Sequence, residues 1–150
     1  MQNILAAIDF SDVTPATIAQ AEKLARAFGC KLWLIHAVAP EPDFVGFGSG
    51  PPSVREDTAN AYRKEHHQLQ EWTQTLRQKG IDATGLTIQG ATVETILAEV
   101  EKLKADLVIV GSHGHGRLFQ AIVGSVSGGI LRKADSPVLV VPVPQRDRKN

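Results

Sequence analysis

Four short apolar runs and one alternating segment, separated by stretches of helical periodicity, constrain what this chain can fold into. The apolar runs lie within Ile4–Ile8, Lys31–Val38, Asp106–Val110 and Pro137–Pro142, and they read as strands buried on both faces. Asp82–Gln89 alternates in character and reads as a strand near a sheet edge. Between them, Ile18, Ala21, Ala25 and Phe28 fall at helical spacing, with Thr14 as the cap, Pro15 in the first turn and Gly29 as the stop. A long helix is predicted over 55–79, with a buried stripe of Ala59, Tyr62, His66, Leu69, Trp72 and Leu76 and a stop at Gly80. Thr92 is expected to cap a helix carrying Val93, Ile96, Leu97, Val100 and Leu103, and a short helix follows over Ser125–Lys133.

Strands alternating with helices predict an α/β fold. The expected form is a single doubly wound domain over 1–150, a five-stranded, mostly parallel sheet in the order 3-2-1-4-5 with helices on both faces. The proline- and glycine-rich stretch 39–54 reads as a loop or lid, and the polar tail 143–150 is expected to fray. In such sheets ligands bind beyond the carboxyl ends of the strands, where strand order reverses. That places the ends of the first and fourth strands, marked by Asp9 and Gly111, at the expected site.

The segment behind the fourth strand is Gly111-Ser-His-Gly114, and Gly124-Ser125 follows it. Glycine-rich turns at strand ends and helix starts expose backbone N–H groups that hold phosphate without a cationic side chain. Three familiar phosphate motifs fail here. A Walker A loop needs Lys and Ser or Thr where this chain has Arg117 and Leu118. The dinucleotide fingerprint would need a third glycine at Phe119 and a place behind the first strand. A pyrophosphatase-type loop would need Ser-Gly-Gly where Asp9-Phe-Ser-Asp stands.

The spacing Gly-x2-Gly-x9-Gly-Ser fits at Gly111, Gly114, Gly124 and Ser125. With this spacing, the Ile4–Asp9 strand, Leu34-Ile-His36 and Ser136-Pro-Val-Leu-Val-Val141, the chain resembles the universal stress proteins of the ATP-binding type over nearly its whole length. The resemblance implies ATP, with Mg or Mn on its phosphates, as the cofactor. It implies that Asp9 meets the ribose, that Ala7 lies against the nucleoside and that Ala37 flanks the adenine. It further implies that Gly111, Ser112, His113, Gly114, His115, Gly116 and Arg117 wrap the ribose and nearer phosphates, while Gly124, Ser125, Val126 and Ser127 hold the outer ones. It implies a homodimer through the last strand, at Val138 and Val140, with Val140 close to the dyad.

Each assignment has a plainer counterpart. Asp9 can serve only as a turn residue, and the glycines can serve only tight turns. His113-x-His115 lacks the further ligands of a zinc site. His36 reads as a satisfied core histidine, and Trp33 and Trp72 as core or interface groups.

Sixteen basic residues balance sixteen acidic ones, so no whole-chain field draws nucleic acid. No apolar run is long enough to cross a bilayer, Cys30 is the only cysteine and the N-terminus enters a strand at once, so a cytoplasmic location is expected. Hydrolysis needs an oriented water and charge stabilisation at the terminal phosphate. The sequence offers no base to aim water. The expected role is therefore a nucleotide-dependent regulatory module acting on a partner of unknown identity. The alternatives are a slow ATPase and a structural dimerisation module with no nucleotide.

Overall fold

A computed structural model of the chain describes residues 1–38, 52–112 and 125–143. The order is β1 (Asn3–Ala7), α1 (Thr14–Phe28), β2 (Lys31–Val38), α2 (Pro52–Gln78), β3 (Ala83–Gln89), α3 (Thr92–Lys102), β4 (Leu107–Gly111), α4 (Ser125–Lys133) and β5 (Val138–Val141). The strands form one sheet in the order β3-β2-β1-β4-β5, and every pairing is parallel. This is the expected doubly wound arrangement.

Alternate residues of the strands feed two cores, as the pleat requires. On one face Ile4, Ala6, Leu32, Leu34 and Ile109 pack with Ala21 and Ala25 of α1 and Leu69 and Leu76 of α2. On the other, Leu5, Ile35, Val108 and Val110 pack with Ile96 and Val100 of α3 and Ile130 of α4. Two glycines let helices approach closely. A Cβ at Gly85 would run into Thr73 and Leu69 of α2. One at Gly129 would lie 2.8 Å from Val93 of α3, so the Gly128-Gly129 pair allows α3 and α4 to touch.

Several expectations need correction. Thr14 and Thr92 are the first residues of their helices, not the caps; Val13 and Ala91 hold the cap positions without side-chain hydrogen bonds. α1 buries Thr14, Thr17, Ala21 and Ala25, while Phe28, at the last position before the left-handed turn at Gly29, is 56% exposed. α2 begins at Pro52, three residues before the expected start, inside the predicted loop. Its buried residues are Leu69, Thr73 and Leu76, while Tyr62 and His66 are exposed. A 27-residue helix spans about 40 Å and a seven-residue strand about 23 Å, so α2 is much longer than the strand it packs on. The remainder of the predicted loop, the helical turn expected at 118–122, and 144–150 of the tail lie outside the described residues. Among the described residues no helix is long and apolar enough to cross a membrane.

Candidate functional site

The carboxyl ends of β1 and β4 flank a cavity of about 190 Å³. Ala7, Ile8 and Asp9 supply the β1 side, Ala37 the end of β2, and Val110 and Gly111 the end of β4. Val13, Thr14 and Thr17 close it from α1, Thr92 and Ile96 from α3, and Val126 and Ser127 from α4. A wider depression of about 690 Å³ runs along α2 and is lined by His67, Gln70, Glu71, Trp72, Gln74, Thr75 and Arg77. Those residues all belong to one helix, whereas six elements or their flanking turns converge on the smaller cavity, which is therefore the candidate site.

The sheet's reversal of direction creates this convergence. β1 lies between β2 and β4, so the chain leaves toward opposite faces from neighbouring strand ends. Gly111 fits because a Cβ there would collide with Val13 and lie 3.2 Å from Thr17 Oγ1. Close approach of α1, rather than an unusual backbone angle, requires the glycine at this position. Ser127 is buried, and its hydroxyl donates to the Gly111 carbonyl at 2.6 Å, which ties the first turn of α4 to the end of β4.

Asp9 sits in a tight turn. Its Oδ1 accepts from the Ser11 N–H at 3.1 Å, the Ser11 hydroxyl at 2.6 Å and the Thr14 hydroxyl at 3.2 Å. Behind it, His36 is buried, with Nδ1 3.0 Å from the Ile8 carbonyl and Nε2 3.3 Å from Glu65 Oε2. That is the satisfied core histidine the sequence suggested. Burial pushes the Cys30 thiol up, away from the reactive thiolate.

Of the residues singled out in the sequence, the cavity brings together Ala7, Asp9, Ala37, Gly111, Val126 and Ser127. Ser112 is turned to β5: its N–H donates to the Val141 carbonyl at 2.7 Å and its hydroxyl accepts from the Val143 N–H at 3.2 Å. Ser125 opens α4 and is exposed, outside the cavity lining. His113, Gly114, His115, Gly116, Arg117 and Gly124 lie outside the described residues. Sequence reasoning missed Thr14, Thr17 and Thr92 as cavity walls. Thr14 and Thr92 were read as helix caps, and Thr17, one turn into α1, was not singled out.

The profile of the universal stress protein family matches residues 1–142. The chain belongs to that family. A universal stress protein from Thermus aquaticus is 34% identical over 142 residues, covering 93% of this chain and 98% of the relative. Two solved structures share the fold. A universal stress protein in complex with cAMP aligns with a TM-score of 0.68 at 24% identity, covering 95% of this chain and 98% of that one. A universal stress protein family member from Arabidopsis thaliana with AMP bound aligns at 0.70 with 19% identity, covering 97% and 94%.

The chemistry available in this family member is asymmetric. Asp9 offers a carboxylate acceptor on the β1 side, and the first turn of α4 lines the cavity at Val126 and Ser127. The first N–H groups of a helix have no intrahelical partner and favour anions. Between them Ala7, Ala37, Val110 and Ile96 form apolar walls. The cavity thus sets a carboxylate acceptor and a helix start across apolar walls.

Proposed function

We propose that this universal stress protein binds an adenine nucleotide, ATP with Mg or Mn, in the cavity between β1 and β4, and that occupancy regulates a partner. The observation that carries this reading is the convergence of Asp9, Ala7, Ala37, Gly111 and the first turn of α4 on one cavity. Asp9 would accept from ribose hydroxyls, Ala7 and Ala37 would leave room for the base, and the start of α4 would receive phosphate. The segment 113–117 and Gly124 would complete the phosphate side through the glycine spacing. The cAMP- and AMP-bound neighbours support a nucleotide as the ligand class. A divalent cation would arrive on the phosphates.

Binding without rapid turnover is the expected outcome. The described side chains lining the cavity include one carboxylate, Asp9, and no lysine, arginine or histidine. Phosphoryl transfer depends on charge stabilisation and an aimed nucleophile. Turnover should fall far below the roughly 1–10³ s⁻¹ of typical enzymes. We further propose a cytoplasmic homodimer formed through β5, whose outward backbone at Val138 and Val140 would pair with a second copy.

Mass spectrometry of the nucleotide released from freshly purified protein tests the reading, together with a turnover assay. An adenine nucleotide at near one per chain, hydrolysed slowly or not at all, is expected. Empty protein that also fails to take up ATP, AMP or cAMP would remove the reading, and turnover at several per second would replace the regulator with an enzyme.

A further inference from the structure

Asp9 is held at the edge of the cavity by a set of donors that a simple turn does not need. Its Oδ1 receives the Ser11 N–H, the Ser11 hydroxyl and the Thr14 hydroxyl at 3.1, 2.6 and 3.2 Å. One N–H from two residues on already closes an aspartate turn. The two hydroxyls are additional. Thr14 is 2% exposed and lines the same cavity. Thr17, one turn later in α1, spends its hydroxyl on the Val13 carbonyl four residues back, the ordinary choice within a helix. Thr14, the first residue of α1, gives its hydroxyl to the carboxylate.

The intervening residue reinforces this arrangement. Phe10 has a φ of 59°, in the left-handed region that bulky side chains rarely adopt. Its ring meets His36 edge-on with centroids 4.7 Å apart and stacks on Trp72 at 5.4 Å. The backbone reversal thus anchors Phe10 against β2 and α2, while its neighbour Asp9 lines the cavity.

We propose that Ser11 and Thr14 are positioning residues that orient the Asp9 carboxylate to recognise the sugar hydroxyls of a ribonucleotide. The inference rests on the nucleotide reading given above. A carboxylate turns easily about its terminal torsion, where the preferred angles are broad. An ionised carboxylate only accepts, so three donors on one oxygen fix its plane and the direction of both hydroxyl protons. A carboxylate held in one plane suits a sugar hydroxyl placed against it and gives little to a sugar that lacks one. Ser11 and Thr14 therefore set selectivity for the sugar and leave base and phosphate contacts alone.

Calorimetric titration of the full chain with AMP and with its 2′,3′-dideoxy analogue tests this. The wild type should bind AMP more tightly than the analogue. Thr14→Val, close in shape, should weaken AMP about tenfold more than it weakens the analogue. Thr14→Ser should restore AMP binding. Ser11→Ala should act in the same direction with a smaller loss, because the backbone donor stays, and it decides the matter if the buried Thr14→Val does not fold. Equal weakening of both compounds in the folded variants, no weakening of AMP, or a wild type indifferent to the sugar hydroxyls would overturn the inference. A wild type that binds neither compound takes down the nucleotide reading itself, and this inference with it.

Discussion

At the β3 edge of the sheet the outward carbonyls of Ala83 and Gly85 are already engaged. Arg77 Nε donates to the first at 2.7 Å and Gln70 Nε2 to the second at 3.3 Å. The two side chains stand seven residues apart on α2, two turns along one face. At the β5 edge the ladder to β4 uses Pro137 and Val141, whose carbonyls accept from Val108 and Ser112. The alternation turns the backbone groups of Val138 and Val140 outward. Among the described residues none of the hydrogen bonds reaches them. One edge is contacted by side chains of its own helix, while among the described residues no hydrogen bond meets the outward groups of the other. An edge strand is usually managed or used, and use in the proposed homodimer would account for the difference.

The largest expected effect comes from removing the open edge. Val140→Pro deletes an outward N–H and leaves the ladder to β4 in place. By two-fold symmetry each lost contact counts twice, so the dimer dissociation constant should rise about tenfold to a hundredfold, read by light scattering across a dilution series. A wild-type monomer at micromolar concentration, or a variant dimer of unchanged affinity, would break the comparison.

Unseating the cover of the other edge should have the next largest effect. Gly85→Ala forces a Cβ into Thr73 and Leu69 and should destabilise the fold by about 1–3 kcal/mol in urea denaturation. Unchanged stability would mean that α2 does not rest on β3 through this contact.

A gentler change sharpens the same point. Gln70→Ala with Arg77→Ala frees the carbonyls of Gly85 and Ala83 at a cost of about 1 kcal/mol each. The double variant should show new concentration-dependent association that persists when Val140→Pro is added. Its absence would show that β3 is protected by something other than these two side chains.

The smallest effect lies away from both edges. The Asp106 carboxylate accepts from the N–H groups of Asn3 and Gln2 and is held below the ordinary aspartate value, Asn3 contributing most. A lowered folded-state value means the contribution is present above the unfolded value and is lost as pH falls through the folded one. In acid titrations below about pH 4, wild type should lose stability more steeply than Asp106→Asn, while the slopes agree at neutral pH. Parallel acid slopes would contradict this.

The strand pattern was legible because buried parallel strands carry dense apolar runs. β2 spans Lys31–Val38 and α4 spans Ser125–Lys133, both as the sequence indicated. What local pattern could not show depends on partners distant in sequence or space. Thr14 looked like a cap because capping is the commonest local use of threonine there, but its hydroxyl is taken by Asp9. The stripe of α2 was extended through Tyr62 and His66 because periodicity does not reveal where the underlying sheet ends. At the cavity, Asp9 and Gly111 were legible from strand ends, and Ala7 and Ala37 only through the family resemblance. Ser112 was not, since its pairing with Val141 and Val143 is set by β5.

The central claim is that an adenine nucleotide occupies the cavity between β1 and β4. Calorimetric titration of ATP into wild type and Ala37→Phe tests it most directly, because a phenyl ring at the half-buried end of β2 would fill much of a space of about 190 Å³. Stoichiometric binding by wild type, with loss in a variant whose fold is intact, is the result predicted. Equal affinity in both proteins, or no binding by either, would contradict it.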